Sequence, residues 1–199
     1  SRSNRVKIEI LDIIKGQFAK GDVGTMAIGA GILSNKKIGY RNLIQNDSFL
    51  IAAAAKLSLP REIETYNEIK KALAYINNVK YKAEKNSYNH PINWKTLATV
   101  SDSTIAVVRT NKGNFTIKLF GNTTPGSVAN FIDLANDDFF DNKVYHRVVS
   151  NFVIQGGCPR GDGYGSLDYS IRSELPQLYY DDEGYVGMAS AGLHTEGTQ

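Results

Sequence analysis

Cysteine is almost missing from this sequence: Cys158 is the only one among 199 residues. No disulfide can therefore close within the chain, and cysteine usage leaves the redox compartment open. Long apolar runs are missing as well. None approaches the ~20 residues that a membrane-crossing helix needs, so no span is expected. The first residues do not read as a signal peptide. The chain opens Ser1-Arg2-Ser3-Asn4 with no initiator Met, as a processed end or a cut made for expression would, and secretion followed by signal removal stays open. Runs of one charge are also absent. Residues 1–100 carry 16 Lys and Arg against 8 Asp and Glu, and residues 101–199 carry 7 against 12. Such a split points to two segments of different character. The basic residues are scattered along helical segments, whereas a nucleic-acid surface needs them clustered. A solvated helical face is expected, and nucleic acid is not an expected partner.

What is present suits a folded protein of one large domain or two small ones: 42% hydrophobic and 22% charged residues. The first 78 residues read helical. Val6, Ile8, Ile10, Leu11, Ile13, Ile14 and Phe18 form a broad apolar stripe, with Gly16 and Gly21 bracketing its exit. Asp22 is placed to cap a second helix through Met26, Ile28, Ile32 and Leu33. A short helical piece is expected over 38–44, and Asp47 is placed to cap another helix reaching Leu57. Pro60 stops that helix and can open the next, with Ile63, Tyr66, Ile69, Leu73 and Ile76 on one face. Asp22 and Asp47 each precede an Ala by five residues and an aliphatic by ten. This symmetry resembles HEAT-type helical repeats, although an offset of 25 residues is shorter than their usual ~40–47. An unspecialised bundle is the alternative. Either way, a packing or docking module for a protein partner is expected here, without chemistry of its own.

Residues 79–102 are polar and aperiodic and read as a linker. His90, with no ligand-type residue at metal spacing, is expected to be solvated, and no metal is expected. Trp94 and Leu97 read as anchors that lay the linker on a domain. From residue 103 to 199 the period becomes two. Ile105, Val107 and Arg109, then Phe115, Ile117 and Leu119, flank a turn at Thr110–Asn114. Thr124-Pro125 is a helix start, cap then first-turn proline, and Asp137-Asp138 the stop. Gly161-Asp162-Gly163-Tyr164-Gly165 lacks the strand, helix and Lys of a phosphate loop. The acidic group at 181–183 fits no calcium loop and reads as an exposed turn. Tyr185–Ala189 reads as a short strand.

The stretch Tyr145–Gly157 carries the chemistry. Two apolar runs, Val144–Val149 and Phe152–Ile154, are broken by Ser150-Asn151. Arg147 within such a run is costly unless it is paired or faces a cleft. Gln155 follows, and Gly156-Gly157 lets the backbone turn sharply or approach another segment closely. A cation, a ring and an amide beside a glycine hinge have the make-up of a small peptide-binding cleft. Taken singly, the same residues also suit a wet strand face and a core aromatic.

Tyr145-His146-Arg147-Val148-Val149, Asn151–Gly157 and Gly187-Met188-Ala189-Ser190-Ala191-Gly192 with Gly197-Thr198-Gln199 resemble, in order and spacing, the bacterial-type cyclophilins, which are peptidyl-prolyl cis-trans isomerases. The likeness runs from about Thr104 to Gln199. It implies the family's closed β-barrel with helices capping its ends, so that with the helical region before it the chain is expected to be multi-domain α plus β, a HEAT-like region followed by a cyclophilin-like barrel. It also implies proline-containing peptides or unfolded proteins as substrates, no cofactor, and a role in protein folding, the compartment, bacterial periplasm or cytoplasm, being left open. Arg147, Phe152 and Gln155 would be the catalytic residues. Val153, Met188, Ala189, Ser190 and Gln199 would bind substrate. This sequence has Val153 where many members have Met, Ser190 where Asn is common, and Cys158 where an acidic residue is frequent. It stops at Gln199, before the family's closing strands and the remaining pocket residues. The expectation is therefore a fragment with an incomplete barrel and weak or no turnover alone. A module that holds proline segments without turnover is the alternative function.

Overall fold

Six α-helices and four short strands follow these periodicities in a computed structural model that describes residues 2–199. The chain forms two units. One extends to Asn86 and includes Asp162–Gly165; the other comprises Ser87–Gly161 and Ser166–Gln199.

The first unit holds α1 (Arg2–Lys20), α2 (Val23–Ser34), α3 (Ser48–Ala54) and α4 (Ile63–Ile76). Leu11, Ile14 and Phe18 of α1, Met26, Ala30 and Leu33 of α2, Leu50 of α3 and Ile69 of α4 share one core with Tyr40. Glycine lets α1 and α2 approach closely: a Cβ on Gly29 would lie 3.0 Å from the Phe18 ring and 3.1 Å from Ile14. Asp22 caps α2 as expected, its Oδ1 accepting from Thr25 N at 2.9 Å. Asp47 does not cap α3. Its carboxylate accepts instead from Asn77 Nδ2 at 2.7 Å, and Asn46 Oδ1 accepts from Ser48 N at 2.8 Å. The symmetry between Asp22 and Asp47 is thus one of spacing, not of capping. α3 ends at Ala54, short of Leu57, and the expected helical piece over 38–44 contracts to a 3-10 turn at Arg41–Leu43. The glycine-rich loop contributes Tyr164, whose ring lies where Gly24 has no side chain and packs against the helical core.

In the second unit β1 (Ile105–Thr110) and β2 (Gly113–Lys118) pair antiparallel, Ile105 opposite Lys118 and Thr110 opposite Gly113. Gly113, at φ +132°, occupies the position where the turn needs a residue without a Cβ. The single turn α5 (Trp94–Leu97) precedes this hairpin, and α6 (Pro125–Asn136) follows it, burying Val128, Ala129, Asn130 and Leu134. β3 (Arg147–Val149) and β4 (Val153–Gln155) pair antiparallel around Asn151, itself at φ +58°. The four strands form two separate two-stranded sheets, and among the described residues no closed barrel is present. The strand expected over Tyr185–Ala189 does not form. A ladder needs a partner along its length; here Ala189 N donates to Gln199 O at 2.9 Å, while Tyr185 and Val186 stay exposed. Trp94, in α5, is 66% exposed, more open than an anchor residue is expected to be, whereas Leu97 lies beside Gly121.

The cap on α6 corrects another expectation. Thr124 makes no side-chain capping bond. Glu174, distant in sequence, accepts from Gly126 N, Ser127 N and Ser127 Oγ, each at 2.8 Å. A carboxylate there satisfies free N–H groups and sits at the positive end of the helix. Glu174→Ala is expected to lower stability by about 1–2 kcal/mol, read as a lower urea midpoint. An unchanged midpoint would mean that solvent satisfies this helix end equally well.

Candidate functional site

The antiparallel register of β3 and β4 sets Arg147 directly opposite Gln155. Across that pair Arg147 Nη1 donates to Gln155 Oε1 at 3.3 Å, and Gln155 Nε2 donates to Gln199 Oε1 at 3.0 Å. The turn between the strands returns the chain so that the Arg147 guanidinium lies 5.8 Å from the centre of the Phe152 ring, within cation–π range. Four of the eight residues singled out in the sequence therefore come together in one row. Arg147 is exposed and Phe152 is 76% exposed, so guanidinium and ring both face solvent.

The other four lie around this row in different ways. Val153 pairs with Val149 and is half-buried. Ala189, half-buried, is tied to the row by its backbone bond to Gln199 O. Met188 is half-buried beside it. Ser190 is exposed and its hydroxyl turns back into its own loop, donating to Gly192 O.

Gly157 fixes how the row is assembled. Its φ is +83°, and a Cβ there would overlap Thr198 O and stand 3.2 Å from Gln199 Cα. Only a residue without a side chain lets the end of β4 run against 198–199, and that contact brings Gln199 to Gln155. Cys158, fully buried beside this contact, is a core residue.

Sequence reasoning missed the groups that seat residues 194–199. Asn130 of α6, buried, donates from Nδ2 to Gly197 O at 2.6 Å and accepts from Tyr169 OH at 2.7 Å. Glu196, also buried, accepts from Ser173 Oγ at 2.7 Å, and its carbonyl accepts from Ile171 N. An asparagine in the buried phase of an apolar helix is the available clue, because a buried amide must find partners.

Comparison with known proteins concerns the sequence of the second unit. Residues 105–199 match the family described as cyclophilin type peptidyl-prolyl cis-trans isomerase/CLD. The chain is 41% identical over 97 residues to a peptidyl-prolyl cis-trans isomerase of Helicobacter pylori strain J99, covering 47% of this chain and 59% of that protein. To one from Synechococcus elongatus it is 41% identical over 99 residues, covering 48% and 66%. To peptidyl-prolyl cis-trans isomerase A of Mycobacterium tuberculosis strain H37Rv it is 39% identical over 110 residues, covering 47% and 60%. The chain thus spans between 59% and 66% of the length of these relatives.

Proposed function

From a cyclophilin-type sequence over residues 105–199, we propose that the second unit acts on X–Pro bonds as a peptidyl-prolyl cis-trans isomerase, with Arg147, Phe152 and Gln155 as its catalytic residues. Amide resonance sets a barrier of ~18–20 kcal/mol against rotation about such a bond. Catalysis requires only that the twisted amide be bound better than either planar form. Twisting makes the proline nitrogen pyramidal and returns its lone pair, so a donor aimed there gains a bond that the ground state lacks. Arg147 suits this role. It gives one N–H to Gln155, and a guanidinium carries further donors. Gln155, held between Arg147 and Gln199, would bind the substrate carbonyl on one side of the rotating bond. The Phe152 ring would receive the pyrrolidine, and Val153, Met188, Ala189, Ser190 and Gln199 would border the peptide.

The observation that carries this proposal is the hydrogen-bonded row Arg147–Gln155–Gln199 with Phe152 beside the guanidinium. The test is two-dimensional NMR exchange on a peptide with one Ala-Pro bond. With the chain present, cis and trans signals should exchange faster than the uncatalysed tens of seconds. A donor in water stabilises charge less than one in a dry cleft, so modest turnover is expected from a site this exposed. Exchange at the uncatalysed rate would leave residues 1–199 without turnover of their own. Binding without faster exchange would favour a second reading, a module that holds proline segments, to which the 76% exposure of Phe152 lends weight.

For residues 1–78 the proposal is a HEAT-like scaffold that docks a protein partner. It is supported by the exposed Ile13 and Ile28 bordering an apolar groove of about 190 Å3 with Ile14 and Ile32.

A further inference from the structure

Two lines of contact run from the supposed linker to the segment that ends in Gln199. In the first, the Tyr88 ring meets the His194 ring edge-on at 5.0 Å. His194 N donates to Ser173 Oγ at 2.7 Å, His194 Nδ1 accepts from Ser173 N at 3.0 Å, and Ser173 Oγ donates to Glu196. In the second, His90 stacks on Tyr169 at 4.0 Å with 19° between the planes. Tyr169 OH bonds Asn130, which holds Gly197 O. Between the two rings, Asn89 pins the chain. Asn89 N and His90 N both donate to Ser170 O at 3.2 Å, Ser170 N donates to Asn89 Oδ1 at 3.0 Å, and Asn89 Nδ2 donates to Asp168 O at 3.2 Å.

We propose that Tyr88 and His90 are positioning residues: they hold residues 194–197, and through Gln199 they set the side-chain amide of Gln155. The functional meaning of this inference rests on the proline-site reading; the mechanical part does not. Asn130 decides the direction of the second line. Because Tyr169 OH donates to its Oδ1, its Nδ2 is left to face Gly197 O. Burial, then Asp133 and Asp137, push the Tyr169 hydroxyl above its ordinary pKa, so it remains a donor. His90 covers that ring and limits its motion, and Tyr88 does the same for His194. Residues 194–197 are thereby clamped from both sides, and Gln199 follows two residues on.

The test uses the whole chain, the side-chain amide signals of Gln155 and Gln199 in 15N–1H spectra, and titration with an Ala-Pro tetrapeptide. In the double variant Tyr88→Ala/His90→Ala both amide pairs should shift or broaden, and peptide affinity should fall about fivefold, the scale of losing two aromatic contacts. Tyr88→Phe/His90→Phe keeps both rings and should restore both readouts. Unmoved amide signals in a folded alanine variant would overturn the inference. If that variant does not fold, Tyr169→Phe replaces it, since it removes only the hydroxyl bond to Asn130. The Gly197 and Gln199 signals must then move, or the inference fails. Should the amide signals move while Arg147→Ala leaves peptide binding and exchange untouched, the proline-site reading falls and the clamp stands.

Discussion

Replacing Gly157 by alanine should destabilise the second unit by about 3 kcal/mol, combining a strained positive-φ residue with a forced overlap. A Cβ there would overlap Thr198 O, which is backbone and cannot rotate aside. The chain must then part β4 from residues 198–199, and the Gln155–Gln199 bond goes with that contact. Thr198 Oγ1 is already buried without a hydrogen-bond partner among the described residues, which leaves this seat little surplus stability. Gly184→Ala is the matched control. It has a similar φ, +89°, with nothing within 4 Å of the place its new methyl group would take, so it carries the backbone penalty alone. Urea denaturation of the two variants separates the two contributions. Equal midpoints would show that 157 and 198 do not meet.

Arg147→Ala should return exchange of the Ala-Pro bond toward the uncatalysed rate. The loss should be smaller than the ~10²–10³-fold for one transition-state donor in a dry cleft, because this guanidinium faces solvent, and peptide affinity should change less than turnover does. The asymmetry follows from what the side chain does. In the proposed role its donor would meet the proline nitrogen only when the amide is twisted, so its loss would appear in turnover more than in binding. Arg147→Lys should not restore the rate, because an ammonium cannot bridge Gln155 and the substrate with a planar fork. Line-shape analysis at saturating peptide gives the turnover, and titration gives the affinity. Equal turnover in the alanine variant would remove Arg147 from the catalytic assignment.

How far the sequence reveals this molecule depends on the range of the interactions involved. The hairpin of β1 and β2 is legible because its alternation and its Gly113 turn are local, and so is the cap that Asp22 supplies three residues ahead to Thr25. Asp47 looks the same in sequence and does not cap, because Asn77, 30 residues on, takes its carboxylate. Tyr185–Ala189 has a strand's composition and lacks a ladder. Trp94 has an anchor's size but lies on the outer side of a four-residue turn. In the site, Arg147, Phe152 and Gln155 stand out because a hairpin brings them together. Gln199 stands out only through resemblance to a family. The groups that seat it, Asn130, Tyr169 and Glu196, are held by partners that no local pattern announces. His90, expected to be solvated, stacks on Tyr169 instead.

The Glu174 cap has a consequence for synthesis. The first turn of α6 depends on a carboxylate 47 and 48 positions downstream of its partners Ser127 and Gly126. While the nascent chain is leaving the ribosome, residues 125–136 emerge well before that carboxylate does, and the helix spends the interval with its leading N–H groups bonded to water. Glu174 can lock this helix only once residue 174 is free of the exit tunnel.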